Sequence, residues 1–167
     1  VLRLQDGKVV KSSVIASLDN ENYDAPLDEA LDAFDAKFMD SVEKHMQSDV
    51  PFGVYLSGGV DSSAVTTAMA EHEKHVSRFS IGFESEDVPD ETGLAEEVAG
   101  ALGANHQNIS FSEGDFWKYL PVMVERMDDW CADYAILPVL KLSEFASQHV
   151  TVVLSGEGGD EFFAGYS

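Results

Sequence analysis

Two different patterns of hydrophobic and polar positions divide this 167-residue chain. The first stretch, 1-VLRLQDGKVVKSSVI-15, alternates apolar and polar residues around Asp6-Gly7, a dipeptide suited to the positive φ angles of a two-residue hairpin turn. The next stretch, 16-ASLDNENYDAP-26, is polar, contains a proline and is typical of a linker. An isolated hairpin has little to pack against, so residues 1–26 are predicted to be the end of another domain followed by a linker.

From Leu27 onward the pattern changes to alternating helices and strands. Apolar residues at helical spacing predict helices over 27–47, 61–74, 90–102, 113–128 and 136–148. A continuous apolar run predicts a strand over 50–56, and further strands are predicted over 77–83, 105–111 and 150–154. Strands that alternate with helices form a parallel sheet with helices on both faces. Residues 27–167 are therefore predicted to form an α/β domain.

The net charge narrows the classes of partner, and the cysteine content narrows the cellular compartment. Acidic residues outnumber basic ones by 31 to 10, for a formal net charge of -21, which repels nucleic acids and anionic membranes. The acidity is typical either of a solvated surface, as in salt-rich environments, or of an acidic binding patch. The single cysteine, Cys131, cannot form an internal disulfide, and neither a signal peptide nor a membrane-spanning apolar run is recognisable. We therefore expect a cytoplasmic protein.

Glycine-rich loops with hydroxyl and carboxyl groups follow two of the predicted strands. Their sequences are 57-SGGVDSS-63 and 155-SGEGGDE-161. In a parallel α/β sheet, ligands bind beyond the carboxyl ends of the strands, where glycines allow close approach and helix N-terminal amides attract anions. An aspartate inside an anion site needs a cation between it and the ligand, and Mg²⁺ is the usual one. Asp61 and Asp160 are therefore candidate Mg²⁺ contacts.

A purely structural interpretation of each loop is also available. Serine, aspartate and glycine are favoured at helix caps and tight turns without any ligand. The chain contains no G-x-x-x-x-G-K-[ST] motif, and Glu161 stands where a dinucleotide fingerprint would have its third glycine. Two such loops on separate strands of one sheet nevertheless favour a binding function over two coincidental caps.

The two loops together carry a specific resemblance. The string 57-SGGVDSS-63 resembles the SGGxDS pyrophosphate loop of the ATP pyrophosphatases, and 48-SDVPFGVYLSGGVDSS-63 with 154-LSGEGGDEFFAGY-166 resembles the synthetase domain of glutamine-hydrolysing asparagine synthetases. The resemblance implies the adenine nucleotide alpha hydrolase-like fold, here truncated. It also implies that 1–26 end a glutaminase domain, and that 27–167 are the N-terminal part of the ATP-binding domain.

The resemblance implies a chemistry as well. Enzymes of this family bind MgATP and activate the side-chain carboxylate of aspartate as β-aspartyl-AMP with release of pyrophosphate, and ammonia from glutamine then displaces AMP. The β and γ phosphates would be held by Ser57, Gly58, Gly59, Asp61, Ser62 and Ser63. Tyr55 and Ile81 would flank adenosine, while Ser155 and Gly156 would approach the α-phosphate and ribose. Asp61 and Asp160 would share the metal, and Glu157 could accept a proton from attacking ammonia.

Departures from the family pattern qualify these expectations. Tyr55 stands where the family usually has a small aliphatic residue, which bears on the adenine contact. The sequence ends at Ser167, before the region that in the family carries a catalytic lysine and most aspartate-binding residues, so we expect the chain alone to be inactive. Two alternatives stay open: a catalytically silent nucleotide-binding or partner module, and a synthetase that amidates another carboxylate, such as a β-lactam precursor. The sequence also leaves a homodimer open.

Cationic groups are scarce near the two loops. A transition state at the α-phosphate needs cationic stabilisation besides a metal, and neither loop contains a lysine or an arginine. The nearest basic residues in sequence lie on predicted helices or at a strand start, and we expect each to be a solvated surface charge: Lys74, Arg78, Lys118, Arg126 and Lys141. The histidines show no metal-ligand spacing, and His106, beside the third strand of the predicted sheet, is the one placed to approach a nucleotide.

Overall fold

A computed structural model of the chain describes residues 2–14, 24–85, 91–103, 105–127, 133, 135–163 and 165. Cys131, the linker residues 15–23 and the start of the predicted helix 90–102 at residue 90 lie outside the described residues. The chain divides into two compact units, Val1–Ala36 and Lys37–Ser167. No helix among the residues described has the length and apolar character needed to cross a membrane.

The first unit contains the predicted hairpin. Strands β1 (Leu2–Gln5) and β2 (Lys8–Ser12) pair antiparallel. The two turn residues between them, Asp6 and Gly7, have φ angles of 51° and 71°, as a two-residue turn of this type requires. The hairpin prediction is confirmed.

The second unit is built on a four-stranded parallel sheet. Its strands are β3 (Phe52–Tyr55), β4 (Ser77–Phe83), β5 (His106–Phe111) and β6 (Val152–Leu154), in the spatial order β5-β4-β3-β6. The helices are α1 (Leu27–His45), which begins in the first unit, α2 (Val60–His72), α3 (Thr92–Ala101), α4 (Glu113–Arg126), α5 (Ile136–Ala146) and α6 (Gly159–Phe163). All predicted helices and strands are present, and the short α6 was not predicted.

Helices cover both faces of the sheet because successive strand residues point to opposite sides. On one face, Val54 packs with Ala68 and Met69 of α2 and with Val42 of α1. Leu56, two residues further along, packs on the same face with the alanines of α3. This arrangement places α2 and α3 against the residues that lead into the first glycine-rich loop.

The opposite face is covered by α5, and α4 packs at its edge. Phe79 in the centre of β4 is fully buried against Leu142 and Ala146 of α5. Phe111, at the end of β5, packs with Tyr119 of α4. Helices therefore flank both faces of the parallel sheet, as predicted.

A network of hydrogen bonds joins β5, α4 and α5. Ser112 caps α4 in a capping box with Asp115. The Nζ atom of Lys141 on α5 lies 2.7 Å from the carboxylate of Asp115 and donates to the carbonyl of Ser110 at 2.6 Å. The bond from Lys141, followed by those from Ser112, holds the pKa of the Asp115 carboxyl well below its usual range. Lys141 thus ties α5 to the start of α4.

One expected surface charge is buried, and that prediction was wrong. Arg78 has no exposed surface, because it lies in the interior of β4 between two paired strands and beneath helices. Its Nη1 atom donates to the carbonyl of Val76 at 3.0 Å, and burial lowers the pKa of the guanidinium.

Candidate functional site

The order of the strands brings the two glycine-rich loops together. The chain runs from β3 to β4 and β5 on one side, then returns as β6 on the other side of β3. Strands β3 and β6 are parallel, and Val54 lies opposite Leu154 in their register. Their carboxyl ends therefore meet at the point where strand order reverses, which is the usual ligand position in such sheets.

The first loop, Ser57–Ser63, is folded by its own hydroxyl groups. The Oγ atom of Ser62 accepts a hydrogen bond from the Ser57 amide at 3.2 Å, pairs with the Ser57 hydroxyl at 2.9 Å and donates to the Gly59 carbonyl at 3.2 Å. The Gly59 amide donates to the Ser57 hydroxyl at 3.2 Å, and Gly58 has a φ of 85°. The serines thus fix the shape of the loop before any ligand arrives.

The N-terminus of α2 points out of this loop without a side-chain cap. Its N-cap residue is Gly59, which has no side chain to accept a hydrogen bond from the first turn. The first amides of a helix lack intrahelical acceptors, so those of Val60, Asp61 and Ser62 remain available, together with the partial positive charge of the helix end. These are the features of an anion-binding site.

The second loop, Ser155–Glu161, lies against the first through its glycines. A Cβ atom at Gly156 would lie 2.6 Å from the amide nitrogen of Ser62. A Cβ atom at Gly159 would overlap the carboxyl group of Asp61 and lie 2.5 Å from its Oδ2 atom. Only glycine at these two positions lets the loops come this close, so the second loop fixes where the Asp61 carboxylate can lie.

A cavity of about 700 Å³ opens between the loops and α5. That volume is typical of small-molecule sites. One part is lined by apolar and aromatic side chains: Tyr55, Phe79, Ile81, Val139 and Leu142. The other part is lined by polar and small residues of the two loops: Ser57, Gly59, Asp61, Ser62, Ser155, Gly156, Glu157, Gly158, Gly159, Asp160 and Glu161. An apolar wall beside a helix N-terminus suits a ligand with a flat ring at one end and anionic groups at the other.

Comparison with known proteins identifies the family. A family model described as asparagine synthase matches residues 33–167. The chain belongs to the asparagine synthase family. It is 43% identical over 77% of its length to asparagine synthetase [glutamine-hydrolyzing] 1 of Bacillus subtilis, and 40% identical over 89% to a putative asparagine synthetase of Mycobacterium bovis. It covers only 20% and 22% of the lengths of these relatives.

Two solved structures share the fold of this asparagine synthase family member. The chain superposes on an NH3-dependent NAD synthetase of Campylobacter jejuni with a TM-score of 0.53, over 81% of this chain and 60% of that one. An NMN synthetase of Francisella tularensis gives a TM-score of 0.55, over 81% and 58%. Both are 16% identical in sequence, so the likeness shows the fold alone. The predicted fold, a parallel sheet of the ATP pyrophosphatase type, is confirmed.

Most of the site residues predicted from the asparagine synthase motifs meet in the cavity. Those that line it are Tyr55, Ser57, Gly59, Asp61, Ser62, Ile81, Ser155, Gly156, Glu157 and Asp160. Gly58 and Ser63 are not among the lining residues. A Cβ atom at Gly58 would lie 2.7 Å from that of Leu94, so this glycine allows α3 to approach the loop. The hydroxyl of Ser63 is buried, and no described group bonds to it.

The sequence did not reveal the apolar wall opposite the loops. Val139 and Leu142 come from α5, three residues apart on one face of that helix. Their helical spacing could have indicated a buried face, but not that this face borders the cavity. Tyr55 also turns toward α5, where its hydroxyl lies 2.8 Å from the Oγ atom of Ser143. A hydrogen bond therefore joins Tyr55 of β3 to α5.

The residues present suit a magnesium ion that is shared with a ligand. Asp61 lies in the first turn of α2 and Asp160 in the first turn of α6, and both line the cavity. No group of three or more potential metal-ligating side chains was found among the described residues. Mg²⁺ is commonly held by one or two carboxylates together with substrate phosphates rather than by a cage of protein ligands. Two carboxylates beside an anion site fit that pattern.

Proposed function

We propose that this chain is the ATP-binding part of a ligase that converts aspartate to asparagine. In the whole protein, the aspartate side-chain carboxylate would attack the α-phosphate of ATP, giving β-aspartyl-AMP and pyrophosphate. Ammonia released from glutamine would then displace AMP and leave the amide. The observation that carries the proposal is the contact of two glycine-rich loops at the strand-order reversal of a chain in the asparagine synthase family.

The two parts of the cavity suit the two parts of ATP. The uncapped N-terminus of α2 would bind the β and γ phosphates, and Mg²⁺ held by Asp61 and Asp160 would neutralise their charge. Adenine would lie against the apolar wall near Tyr55 and Ile81. Ser155 and Gly156 would then lie beside the ribose and the α-phosphate.

Glu157 is the candidate proton acceptor. It lies in the turn of the second loop, lines the cavity and is exposed to solvent. A carboxylate that extends from the loop beside the α-phosphate could take a proton from ammonia as the amide forms.

We also propose a domain arrangement for the parent protein. Residues 1–26 would be the end of a glutaminase domain and a linker, and residues 27–167 the N-terminal part of the synthetase domain. The β1–β2 hairpin forms within the first compact unit, and the family match begins at residue 33. The glutaminase domain would be the partner that supplies ammonia.

Titration calorimetry with MgATP tests nucleotide binding. We expect binding that requires Mg²⁺ and is abolished by a chelator. Asp61→Asn and Asp160→Asn should each weaken it by about tenfold or more, or about 1.4 kcal/mol, since each removes a charged carboxylate ligand of the metal. Asp49→Asn, at an exposed aspartate outside the cavity, is the matched control and should bind as the parent does. Binding that ignores Mg²⁺ and both substitutions would contradict the proposal.

Turnover by the chain itself is a separate question. No lysine or arginine is among the described residues that line the cavity, and phosphoryl and adenylyl transfer rely on cationic groups besides the metal. We therefore expect no asparagine and no pyrophosphate from the chain with MgATP, aspartate and ammonium. Detection of either product by mass spectrometry or a coupled pyrophosphate assay would show that this chain is catalytically sufficient.

A further inference from the structure

A hydrogen-bonded chain of three residues ends at the peptide that begins the first loop. The hydroxyl of Ser80 on β4 donates to the carbonyl of Leu56, the residue that precedes the loop. The Oγ atom of Ser80 also lies 2.7 Å from Nε2 of His106, the first residue of β5. Ser80 is only 2% exposed, so water does not replace these bonds.

The Leu56–Ser57 peptide is held at both of its polar ends. Its carbonyl accepts from Ser80, and its N–H, on Ser57, donates to the hydroxyl of Ser62 at 3.2 Å. A peptide unit is planar, so two bonds of this kind fix the rotation of the whole plane. That rotation sets the direction in which the chain enters the loop and the position of Ser62 at the first turn of α2.

The number of protons on the Ser80 hydroxyl determines whether His106 donates or accepts in its hydrogen bond to Ser80. A serine hydroxyl has one proton, and here it goes to the Leu56 carbonyl. The Nε2 atom of His106 must therefore be the donor to Ser80, which specifies the Nε2–H tautomer. Burial lowers the pKa of His106, the charge of Arg78 acts in the same direction and that of Glu96 opposes it. The ring is therefore neutral near pH 7, with Nε2 protonated.

We propose that His106 is a positioning residue for the phosphate loop and acts through Ser80 on the Leu56–Ser57 peptide. The ring itself stands one residue away from the cavity lining, because Ser80 lines the cavity and His106 does not. Its effect on ligands rests on the proposed function of the loop as a phosphate site. It should therefore act on the phosphate part of a nucleotide and leave the adenosine part unaffected.

The hydrogen bonds from His106 through Ser80 to the Leu56 carbonyl form a relay. Nitrogen-15 NMR of the imidazole tests this relay without any nucleotide. The expected spectrum shows the neutral Nε2–H tautomer of His106, which the Ser80→Ala variant loses or shifts. His106→Leu should shift the amide resonance of Ser57, while His106→Gln, which keeps an N–H at a similar reach, should shift it less. The exposed His75 is the control, and His75→Leu should leave that resonance in place. An Nδ1–H tautomer, or an unmoved Ser57 amide in His106→Leu, would overturn the relay.

Calorimetry with magnesium pyrophosphate, MgATP and adenosine then tests the consequence of the relay for binding. His106→Leu should weaken binding of magnesium pyrophosphate and of MgATP by about three- to tenfold, the equivalent of one net hydrogen bond. Adenosine should bind as before, and His106→Gln should recover most of the loss. In a Ser80→Ala background, His106→Leu should add little, because the relay is already broken. Equal losses for adenosine and pyrophosphate would indicate general disruption and overturn the inference.

The two tests separate the failure of each proposal. If the parent chain binds neither magnesium pyrophosphate nor MgATP, the proposed function is wrong, and the NMR result still decides whether the relay exists. If the parent binds both and His106→Leu binds them equally well, the relay does not position the loop and the proposed function stands.

Discussion

The two glycine-rich loops differ in what holds them. The first loop is closed by hydrogen bonds among Ser57, Gly59 and Ser62, and its entry is held by Ser80. The second loop contains a backbone bond from the Gly159 amide to the Gly156 carbonyl at 3.4 Å, and it lies against the first loop through these two glycines. The first loop is therefore shaped by bonds of its serine side chains, whereas the second packs against it through residues that have no side chain.

This difference predicts how a substitution in one loop affects the other loop. A change that disturbs the first loop should move the second as well, because the second uses the first as its support. A change in an exposed side chain of the second loop should stay local. Substitutions in each loop, and others away from both, test this asymmetry.

The largest effect should come from separating the loops with Gly159→Ala. The added methyl would overlap the Asp61 carboxyl, and relief of such overpacking costs about 1–3 kcal/mol, which corresponds to about 5- to 150-fold in binding. We expect MgATP affinity, measured by calorimetry, to fall within that range. Gly100→Ala, on α3 where a Cβ meets open space, is the matched control and should bind normally. Full affinity in Gly159→Ala would mean that the loops do not depend on this contact.

A smaller effect is expected when the bonds inside the first loop are removed. Ser62→Ala deletes three hydrogen bonds to Ser57 and Gly59, both of which are exposed, at a total cost of about 2 kcal/mol in the free energy of unfolding, since a hydrogen bond contributes about 0.5–1.5 kcal/mol net. Ser155→Ala changes the first serine of the second loop, which is exposed, and should cost less than about 0.5 kcal/mol. Urea denaturation of the two variants compares them directly. Equal costs would remove the distinction between the loops.

Lys141→Met tests whether the effect of a disturbed loop can be distinguished from a general loss of stability of the fold. The Lys141–Asp115 pair lies among the described residues outside the cavity lining, and its removal should cost about 1.5 kcal/mol of unfolding free energy near pH 7. Because the folded pKa of Asp115 is depressed, its contribution is complete above the unfolded pKa of about 3.9 and is lost as the pH falls toward the folded value.

The difference in stability between Lys141→Met and the parent should therefore shrink as the pH is lowered from 6 to 2. Denaturation at a series of pH values measures it, and MgATP affinity near pH 7 should stay close to that of the parent. A difference that is constant with pH would show that the ion pair is not its source.

The smallest effect is expected at the apolar wall, with Tyr55→Phe. This change removes only the hydroxyl that bonds Ser143 between β3 and α5, for about 0.5–1.5 kcal/mol of unfolding free energy. Both loops stay intact, so binding of magnesium pyrophosphate should be unchanged. Ser143→Ala should have a similar effect, and the double variant should not add the two costs. Additive costs would show that the two hydroxyls act independently.

The sequence predicted the fold well where local patterns decide it. Strand β4 occupies 77–83, as predicted, because the alternation of Phe79, Ile81 and Phe83 with polar or small residues can be read without tertiary knowledge. Helix α6 escaped prediction because 159-GDEFF-163 is short, begins with glycine and has no helical period. Arg78 was placed wrongly because charged residues are nearly always exposed, whereas its position inside a doubly covered strand decides its burial.

The candidate site was predictable only in part, for a similar reason. Residues such as Ser57, Gly59 and Asp61 carry a recognisable motif at a strand exit, and the structure places them at the cavity. The apolar wall, with Val139 and Leu142, depends on where α5 packs, and no local pattern contains that information. The same holds for the bond from Ser80 to Leu56, which joins two strands. The roles assigned to these residues in catalysis stay predictions.

The order of the strands in the sheet has a consequence for how the chain folds during its synthesis. Strands β3, β4 and β5 are neighbours in the sheet in the same sequence in which they are synthesised, whereas β6 returns late to pair with β3. Contacts between distant segments close large loops of chain and form slowly. A nascent chain would therefore acquire most of its sheet while its binding cavity is still open on one side. The proposed nucleotide site would then be complete only after β6 has paired with β3.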